Sequence, residues 1–471
     1  MILSFQVGNF RSIRDGALLS MEASADKDRP GELDVVRVPP GVSKEHKGVL
    51  SVAAIYGANG AGKSNVLGAM NLLFNILKWH YRDPSEGKKD NSGNPHPRLV
   101  PFKFNEETSS SPIEFELKFM HEKIMYIYYV SMTESKVFSE SLSAFKMGRE
   151  LIIFKRGHSV TPDSNTLYKS TGSEGQGYLF EKLSQEKDEI SWSDLPSSGS
   201  EPWYWGPSFI GKSREGMALA RRTANNAPFF SVGATFQHPQ LQAAISVINN
   251  VCFINAVNHF DLNQVQLSLL RKHPEVFLSV SRMIKSADFG ISELKIDDSN
   301  ADDLKLLSAH VHENGSVVYL DVLKDESHGT RRFAQLAFSL TLYMMDGGTI
   351  VIDELQSGLH PLLARSLVKL FQDKKLNSYN SQLIFSSHDV TLFDPALLRR
   401  DQIYLVDKDL QGCSDLYSLS EFRDKPRIDV PLMKYYLSGR FNSIPDIENA
   451  FFDEFQQGLK AVRNAFYFDR D

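Results

Sequence analysis

The chain has 471 residues, 42% of them hydrophobic, with 58 acidic and 52 basic side chains and a formal net charge of −6. This composition is typical of a globular protein and excludes general disorder, and the acidic balance argues against a protein that coats DNA through phosphate contacts. Two cysteines, Cys252 and Cys413, are too few for a disulfide framework or a cysteine zinc site. The N-terminus lacks the apolar core of a signal peptide, and the chain has no apolar stretch of about 18 residues, so we expect a cytoplasmic protein without a membrane partner.

The first motif in chain order is a glycine-rich loop between a predicted strand and a predicted helix. Residues 49–56 (VLSVAAIY) form a nearly continuous apolar run, typical of a strand buried on both faces of a parallel sheet. The segment GANGAGKS, from Gly57 to Ser64, then matches the pattern GxxxxGK[ST] of phosphate-binding loops. Apolar side chains recur at helical spacing from Val66 to Leu77. Strand, loop and helix thus follow in the order that phosphate binding requires.

This loop predicts an ATP site. Glycines let successive backbone N–H groups point at the phosphates, and the start of the helix adds a partial positive charge. Lys63 is expected to reach the β- and γ-phosphates, and the Ser64 hydroxyl is expected to bind Mg²⁺. The predicted ATP-binding residues of the loop are Asn59, Gly60, Gly62, Lys63 and Ser64.

Much later in the chain, Ser327 and Gly329 stand at the start of another predicted helix, which continues through Phe333 to Leu340. A serine and a glycine at a helix start can bind an anion. Taken alone, the segment is better explained as an ordinary N-cap. Only its place in the order of motifs makes it a second candidate for phosphate binding.

A strand that ends in two carboxylates follows. Residues 349–352 (TIVI) are apolar or β-branched, and Asp353 and Glu354 come directly after them. Ligands bind beyond the carboxyl ends of strands in open α/β sheets, so we expect Asp353 to hold Mg²⁺ and Glu354 to orient or deprotonate the attacking water. Two solvated acids at a strand end are the simpler alternative, and the phosphate loop favours the catalytic role.

A histidine follows the next predicted strand. Residues 382–385 (QLIF) lead through two serines to His388, 35 positions after Asp353. At the same sheet edge, His388 could form a hydrogen bond with the γ-phosphate or the attacking water. A solvated or structural histidine is the alternative, since the chain has 13.

The order of these motifs resembles the ATP-binding-cassette heads of SMC-type and RecF-type proteins. More closely, it resembles the bacterial ABC-type AAA ATPases of the abortive-infection and overcoming-lysogenization-defect group. Four stretches carry the resemblance: residues 5–13 (FQVGNFRSI), residues 57–64 (GANGAGKS), residues 352–361 (IDELQSGLHP) and residues 436–445 (YLSGRFNSIP).

The resemblance implies an ATPase that works as a head-to-tail dimer or higher oligomer. Ser327 and Gly329 of one subunit would close on the γ-phosphate held by the other, and Arg11 in the N-terminal turn would also contact nucleotide. The segment from Ser327 to Thr330, which stands where the family has its signature motif, has fewer glycines than the family pattern and carries His328. The family also has a glutamine that links the metal to the lobe with the signature motif, and no glutamine of this chain is assigned to that position. Slow hydrolysis, suited to a switch, fits these departures.

The resemblance also predicts the fold: an α/β P-loop NTPase of the ABC-ATPase head type, with a mixed sheet flanked by helices and an inserted helical subdomain. We divide it into an N-terminal lobe (1–130), an insertion (131–320) and a C-terminal lobe (321–471). The insertion is expected to hold a strand meander, a polar loop (161–207) and helices within 236–287. The insertion has no sustained heptads, so we do not expect a long coiled-coil arm.

Two segments have open interpretations. The polar loop carries Trp192, Trp203, Tyr204 and Trp205, which either pin it to the body or form a sensing surface for a partner. An apolar stripe from Ala450 to Phe466 is either core packing or a docking helix for a partner.

The preferred function is an ATP-dependent switch in bacterial anti-phage defence that controls a separate effector, expected to be a nuclease. The chain itself shows no nuclease constellation after His388. The alternative is a RecF- or SMC-like ATPase of DNA repair or recombination, which would bind nucleic acid. A membrane-transport ATPase is disfavoured, because the N-terminal turn and the segment LHP (359–361) do not resemble one.

Overall fold

The computed structural model describes residues 1–24, 35–36, 48–79, 98–146, 149–157, 203–254, 262–287, 289–300, 303–422, 432–441 and 450–467. Within them, no helix is both long enough and apolar enough to cross a bilayer. The strands are β1 (Ile2–Gly8), β2 (Ala17–Ser20), β3 (Val35–Val36), β4 (Val49–Leu50), β5 (Val52–Gly57), β6 (Ile113–His121), β7 (Ile124–Met132), β8 (Val137–Lys146), β9 (Arg149–Gly157), β10 (Trp203–Trp205), β11 (Val251–Ile254), β12 (Glu293–Asp297), β13 (Lys305–Val311), β14 (Val317–Asp321), β15 (Thr349–Ile352), β16 (Gln382–Ser386), β17 (Ile403–Lys408) and β18 (Ser414–Ser418). The helices are α1 (Lys63–Trp79), α2 (Glu106–Ser110), α3 (Lys212–Ala220), α4 (Phe229–Thr235), α5 (Pro239–Asn249), α6 (Gln264–Lys272), α7 (Pro274–Ser286), α8 (His328–Met344), α9 (Pro361–Gln372), α10 (Leu432–Leu437) and α11 (Ala450–Tyr467).

A sheet of six strands carries the nucleotide motifs. Its strand order is β11-β15-β16-β5-β17-β18, and all neighbours are parallel except β17 and β18. Successive side chains of a strand point to opposite faces, so this sheet has two buried faces. On β5, Ala53 and Ile55 join one hydrophobic core, whereas Val52, Ala54 and Tyr56 join the other.

A second sheet of seven antiparallel strands covers one of these faces. Its order is β10-β9-β8-β7-β6-β1-β2. Along β6, Ile113, Phe115 and Leu117 point into the core that also contains the apolar face of α1. The helix that follows the phosphate loop therefore lies between the two sheets, and α7, α8 and α9 pack on the opposite face of the six-stranded sheet.

A buried ion pair fastens α4 to the antiparallel sheet. The carboxylate of Glu140 lies 3.6 Å from the guanidinium of Arg156, and both side chains are almost fully buried. The same carboxylate accepts hydrogen bonds from the backbone N–H groups of Phe229 and Phe230 at 2.7 and 2.9 Å and from the Tyr128 hydroxyl at 3.0 Å. The start of α4 is thus fixed by charge-assisted hydrogen bonds.

The structure confirms the predicted mixed α/β fold with helices on both sides of a sheet. The predicted strand over 49–56 is divided into β4 and β5, and the helix predicted to start at Pro274 is α7. The region 131–320 is not purely an insertion, because its strand β11 pairs directly with β15 inside the six-stranded sheet. The division at residues 130 and 320 stays a prediction.

The two segments with open interpretations have different outcomes. Trp203 and Trp205 of β10 pack against Phe229, whereas Trp192 and most of the polar loop lie outside the described residues. The C-terminal stripe belongs to α11, where Phe455 and Leu459 are 61% and 53% exposed, so core packing does not account for these two residues.

Candidate functional site

The phosphate loop joins β5 to α1, and its lysine is folded back onto the loop. Lys63 Nζ donates hydrogen bonds of 2.9 Å to the backbone oxygens of Gly57 and Ala58. Burial lowers the pKa of the Lys63 ammonium from 10.5 to about 8, although the carboxylates of Asp353 and Glu354 act in the opposite direction. A positive charge is therefore held at the loop at neutral pH, and it has to exchange two carbonyl partners for phosphate oxygens.

Two glycines of the loop are required for different reasons. Gly60 has φ 77° and open space where a side chain would stand, so only the left-handed backbone favours glycine there. Gly62 has φ 117°, and a Cβ atom would in addition lie 2.9 Å from Ser414 Cβ and 3.0 Å from Ser12 Oγ. Gly62 is thus wedged between two parts of the chain that are distant in sequence.

A network of hydroxyl groups braces the loop from outside. Ser414 Oγ donates to the backbone oxygen of Ala61 at 2.5 Å and lies within hydrogen-bond distance of Ser12 Oγ, at 2.7 Å. Asn65 Nδ2 donates to the same Ser12 hydroxyl at 2.7 Å. Arg11 Nη1 reaches Asn65 Oδ1 at 3.4 Å. The N-terminal turn therefore lies beside the loop and the start of α1.

Asp353 closes the site from β15, the strand on the far side of β16 from β5. Its Oδ1 atom accepts a hydrogen bond of 3.2 Å from Ser64 Oγ and one of 2.5 Å from Ser386 Oγ. Ser64 follows β5, Asp353 follows β15 and Ser386 ends β16, so three parallel strands deliver three oxygen groups to one edge.

Glu354 has an unusual backbone conformation that is held from both sides. Its φ is 52°, in the left-handed region that side chains rarely adopt. Ser386 Oγ accepts its backbone N–H at 2.8 Å, and Arg332 Nη2 donates to its backbone oxygen at 2.6 Å. These contacts direct the carboxylate toward the same edge as Lys63 and Asp353.

His388 lies two residues beyond β16 on the surface of this edge. Partial burial, followed by the nearby charge of Lys63, lowers the pKa of the His388 ring below its ordinary 6.5. The carboxylates of Asp353 and Glu354 act in the opposite direction on the pKa of His388, which shows that all four groups share one electrostatic environment. At neutral pH the imidazole is therefore largely neutral, with one nitrogen able to donate and the other to accept a proton.

The residues present fit a magnesium ion bound together with phosphate. The Ser64 hydroxyl and the Asp353 carboxylate provide hard oxygen donors 3.2 Å apart. Mg²⁺ in phosphate-transferring proteins is held by one or two such protein oxygens plus water and substrate phosphates. Among the described residues, no group of three or more His, Cys, Asp or Glu side chains could hold a metal by itself, so phosphates would complete this set.

Ser327 and Gly329 occupy the start of α8. Ser327 is exposed and caps the helix, because its Oγ accepts the backbone N–H of Thr330 at 3.1 Å. Gly329 packs on the loop after Glu354, where an added Cβ would lie 2.5 Å from the backbone oxygen of Gly358. The helix start faces solvent on one side and this loop on the other.

The structure thus brings the predicted Lys63, Ser64, Asp353, Glu354 and His388 to one sheet edge. Asn59 and Gly60 lie exposed on the loop, Gly62 lies in its wall, and Arg11 lies beside it. The roles assigned to these residues stay predictions. Sequence reasoning missed Ser386 and Arg332, although a hydroxyl at a strand end before a candidate histidine was a usable signal for Ser386.

Comparison with solved structures gives similarity to SMC heads at low identity. The SMC head domain from Thermotoga maritima is 15% identical over 88% of this chain and 98% of that chain, with a TM-score of 0.34. The Smc head domain with a coiled coil and joint from Pyrococcus yayanosii is 12% identical over 92% of this chain and 99% of that chain, with a TM-score of 0.40. No curated protein matches the chain.

A family model gives the stronger result. The model AAA_21, described as "AAA domain, putative AbiEii toxin, Type IV TA system", matches residues 52–394. That range runs from the strand before the phosphate loop to beyond His388 and includes Ser327, Asp353 and Glu354. The chain is therefore a member of the AAA_21 family of P-loop ATPase domains.

Proposed function

We propose that this protein is an ATP-binding and ATP-hydrolysing switch of a bacterial abortive-infection defence system, and that it controls a separate effector. The observation that carries the ATPase part is the meeting of Lys63, Ser64, Asp353, Glu354 and His388 at one sheet edge. The defence part rests on the family, whose description names the AbiEii toxin. The nuclease nature of the effector is an expectation from the sequence resemblance.

The chain's own groups have distinct tasks in this scheme. Lys63 leaves the carbonyl oxygens of Gly57 and Ala58 and binds the β- and γ-phosphates. Glu354, fixed at its backbone by Ser386, orients a water molecule and accepts its proton. The neutral ring of His388 donates a hydrogen bond to the γ-phosphate. Bound Mg²⁺, held by Ser64 and Asp353, would neutralise phosphate charge.

We further propose that ATP joins two subunits head to tail. The start of α8 supports this, since Ser327 and His328 are exposed and the helix N-terminus carries a partial positive charge. The nucleotide on one subunit would then sit against Ser327 of the other. Hydrolysis would release the pair and so change how the effector is held.

The test uses Glu354→Gln in the full chain. We expect ATP binding within about twofold of the wild type and a loss of hydrolysis on the order of 10²- to 10⁴-fold, as for removal of a general base. ATP should convert this variant into a stable dimer, seen by light scattering, and Ser327→Arg in the same chain should prevent it. Glu313→Gln, in an exposed turn, is the matched control and should hydrolyse ATP normally.

Normal hydrolysis by Glu354→Gln would refute the assignment of the catalytic base. A dimer that forms equally well with Ser327→Arg would refute the head-to-tail arrangement. ATP-dependent DNA binding that weakens steeply with salt, in the absence of any partner protein, would favour the repair alternative.

The defence role needs a cellular test. Cells that carry this gene with its neighbouring gene should survive phage exposure as a population only when Lys63 is intact, and Lys63→Ala should remove protection. Full protection by this chain alone, with the neighbouring gene deleted, would contradict a separate effector.

A further inference from the structure

Arg332 is a fully buried arginine that joins α8, the signature-like helix, to Asp353 and Glu354 after β15. It lies on the second turn of α8, and its side chain is completely inaccessible to solvent. Arg332 Nη2 lies 2.6 Å from the backbone oxygen of Glu354 and 3.3 Å from that of Asp353. Burial lowers the pKa of Arg332 only to about 10, so the guanidinium stays charged at neutral pH and its hydrogen bonds are charge-assisted.

The contact acts on the residue whose geometry matters most for hydrolysis. Glu354 has φ 52°, a conformation that costs about 1 kcal/mol for a residue with a side chain. Ser386 fixes the amide before its Cα atom, and Arg332 fixes the carbonyl after it. The direction of the Cα–Cβ bond, and with it the position of the carboxylate, therefore depends on Arg332.

The first turn of α8 makes a second contact with the loop that follows Glu354. Gly329 packs so closely on Gly358 that a Cβ atom would lie 2.5 Å from the Gly358 oxygen. Ser327, at the exposed end of this turn, is the group proposed to receive the nucleotide of a second subunit. Gly329 and Arg332 therefore connect the start of α8 to the segment that carries Glu354, within one subunit.

We propose that Arg332 is a positioning residue that couples nucleotide contact at Ser327 to the alignment of Glu354 in the same subunit. The inference rests on the proposed head-to-tail dimer. Each nucleotide is then held by one subunit and contacts the start of α8 in the other subunit. Through that helix it aligns Glu354 of the other subunit, which acts on the second nucleotide. Hydrolysis in the two sites is consequently cooperative, with coupling carried by a contact that touches neither nucleotide.

The test is steady-state hydrolysis and ATP binding by full-length Arg332→Met, with Arg331→Met as the matched control. Arg331 donates to the backbone oxygen of Leu323 at 3.1 Å, away from Glu354. We expect Arg332→Met to bind ATP within about twofold of the wild type, to lose kcat on the order of 10²-fold as misplacement of a catalytic group by about 1 Å does, and to have a Hill coefficient near 1. Arg332→Lys, which keeps the charge with a single donor atom, should recover part of kcat.

The supporting pattern is this loss of kcat and cooperativity with binding retained, together with no added loss when Arg332→Met is combined with Glu354→Gln. Wild-type kcat and cooperativity in Arg332→Met would overturn the inference, and so would an equal loss of binding and hydrolysis, which marks a merely structural role. Should Arg332→Met fail to fold by circular dichroism, Arg332→Lys is judged by the same criteria. Failure of the proposed ATPase function is distinguishable, because it appears in Glu354→Gln while Arg332 is intact.

Discussion

The pKa of Lys63 leads to a quantitative prediction about ATP binding. Burial brings that pKa from 10.5 to about 8 in the nucleotide-free protein. At 1.36 kcal/mol for each pKa unit, the charged form is disfavoured by about 3 kcal/mol relative to water. Phosphates bound to Nζ favour the charged form, so ATP binding should raise the pKa and take up a proton from solution.

The expected pH dependence follows from the fraction of charged lysine before binding. At pH 7 about nine-tenths of the Lys63 side chains already carry a proton, whereas at pH 9 only about one-tenth do. The apparent affinity for Mg²⁺·ATP should therefore fall about tenfold between pH 7 and pH 9. Isothermal titration in buffers of different ionisation enthalpy should give close to one proton taken up for each ATP at pH 9 and about a tenth of a proton at pH 7.

Lys63→Arg is the control, since a guanidinium keeps its charge throughout this range. Its affinity, even if weaker overall, should not change with pH. The lowered pKa of Lys63 can be checked in the nucleotide-free protein through the pH dependence of stability. Between pH 8 and 10.5 the unfolded chain holds the proton that folded Lys63 releases, so the contribution of Lys63 to the free energy of unfolding rises with pH. Wild-type affinity that is flat from pH 7 to 9, with no proton uptake, would refute the reasoning.

Four further variants test the packing of the fold and the supports of the site. Glu140→Ala should lower the free energy of unfolding by about 3–5 kcal/mol in a urea titration, because it leaves the buried Arg156 charge without its carboxylate; a change below 1 kcal/mol would contradict the ion pair's role. Gly62→Ala should abolish ATP binding in a fluorescent-nucleotide assay. Gly60→Ala, with open space around it, should cost only about 1 kcal/mol of stability; an equal loss of ATP binding in the two variants would contradict the packing argument. Ser386→Ala should reduce hydrolysis about tenfold, since it removes the hydroxyl that holds both carboxylate residues; unchanged turnover would show that this support is dispensable.

The candidate site was predictable where chemistry follows a local pattern. Lys63 is specified by the glycine motif, and Asp353 and His388 by apolar strands that end in polar residues. Because parallel strands in one sheet end at the same edge, those residues had to meet once the strands were correct. The mixed α/β fold followed from the same strands.

Other parts of the site depend on contacts that no local pattern encodes. Ser414 binds the loop at Ala61 across 353 residues, and nothing in the sequence around Ser414 distinguishes it from other serines. Arg332 was missed because an arginine on the second turn of a helix is ordinarily exposed, whereas this one is buried against the backbone of Asp353 and Glu354. Likewise, the membership of β11 in the six-stranded sheet depends on its pairing with β15.

The position of β5 in its sheet has a consequence for how the protein is made. This strand, which carries the phosphate loop, pairs with residues that begin at Leu383 on one side and Ile403 on the other. A ribosome that adds about 5–20 residues each second needs roughly 15–65 s to proceed from Val52 to its first partner. During that interval an apolar strand has neither neighbour, and nucleotide cannot stabilise the nascent chain because the loop has no sheet to support it. We therefore expect the nascent chain to bind ATP only late in its synthesis, after β16 and β17 have been made.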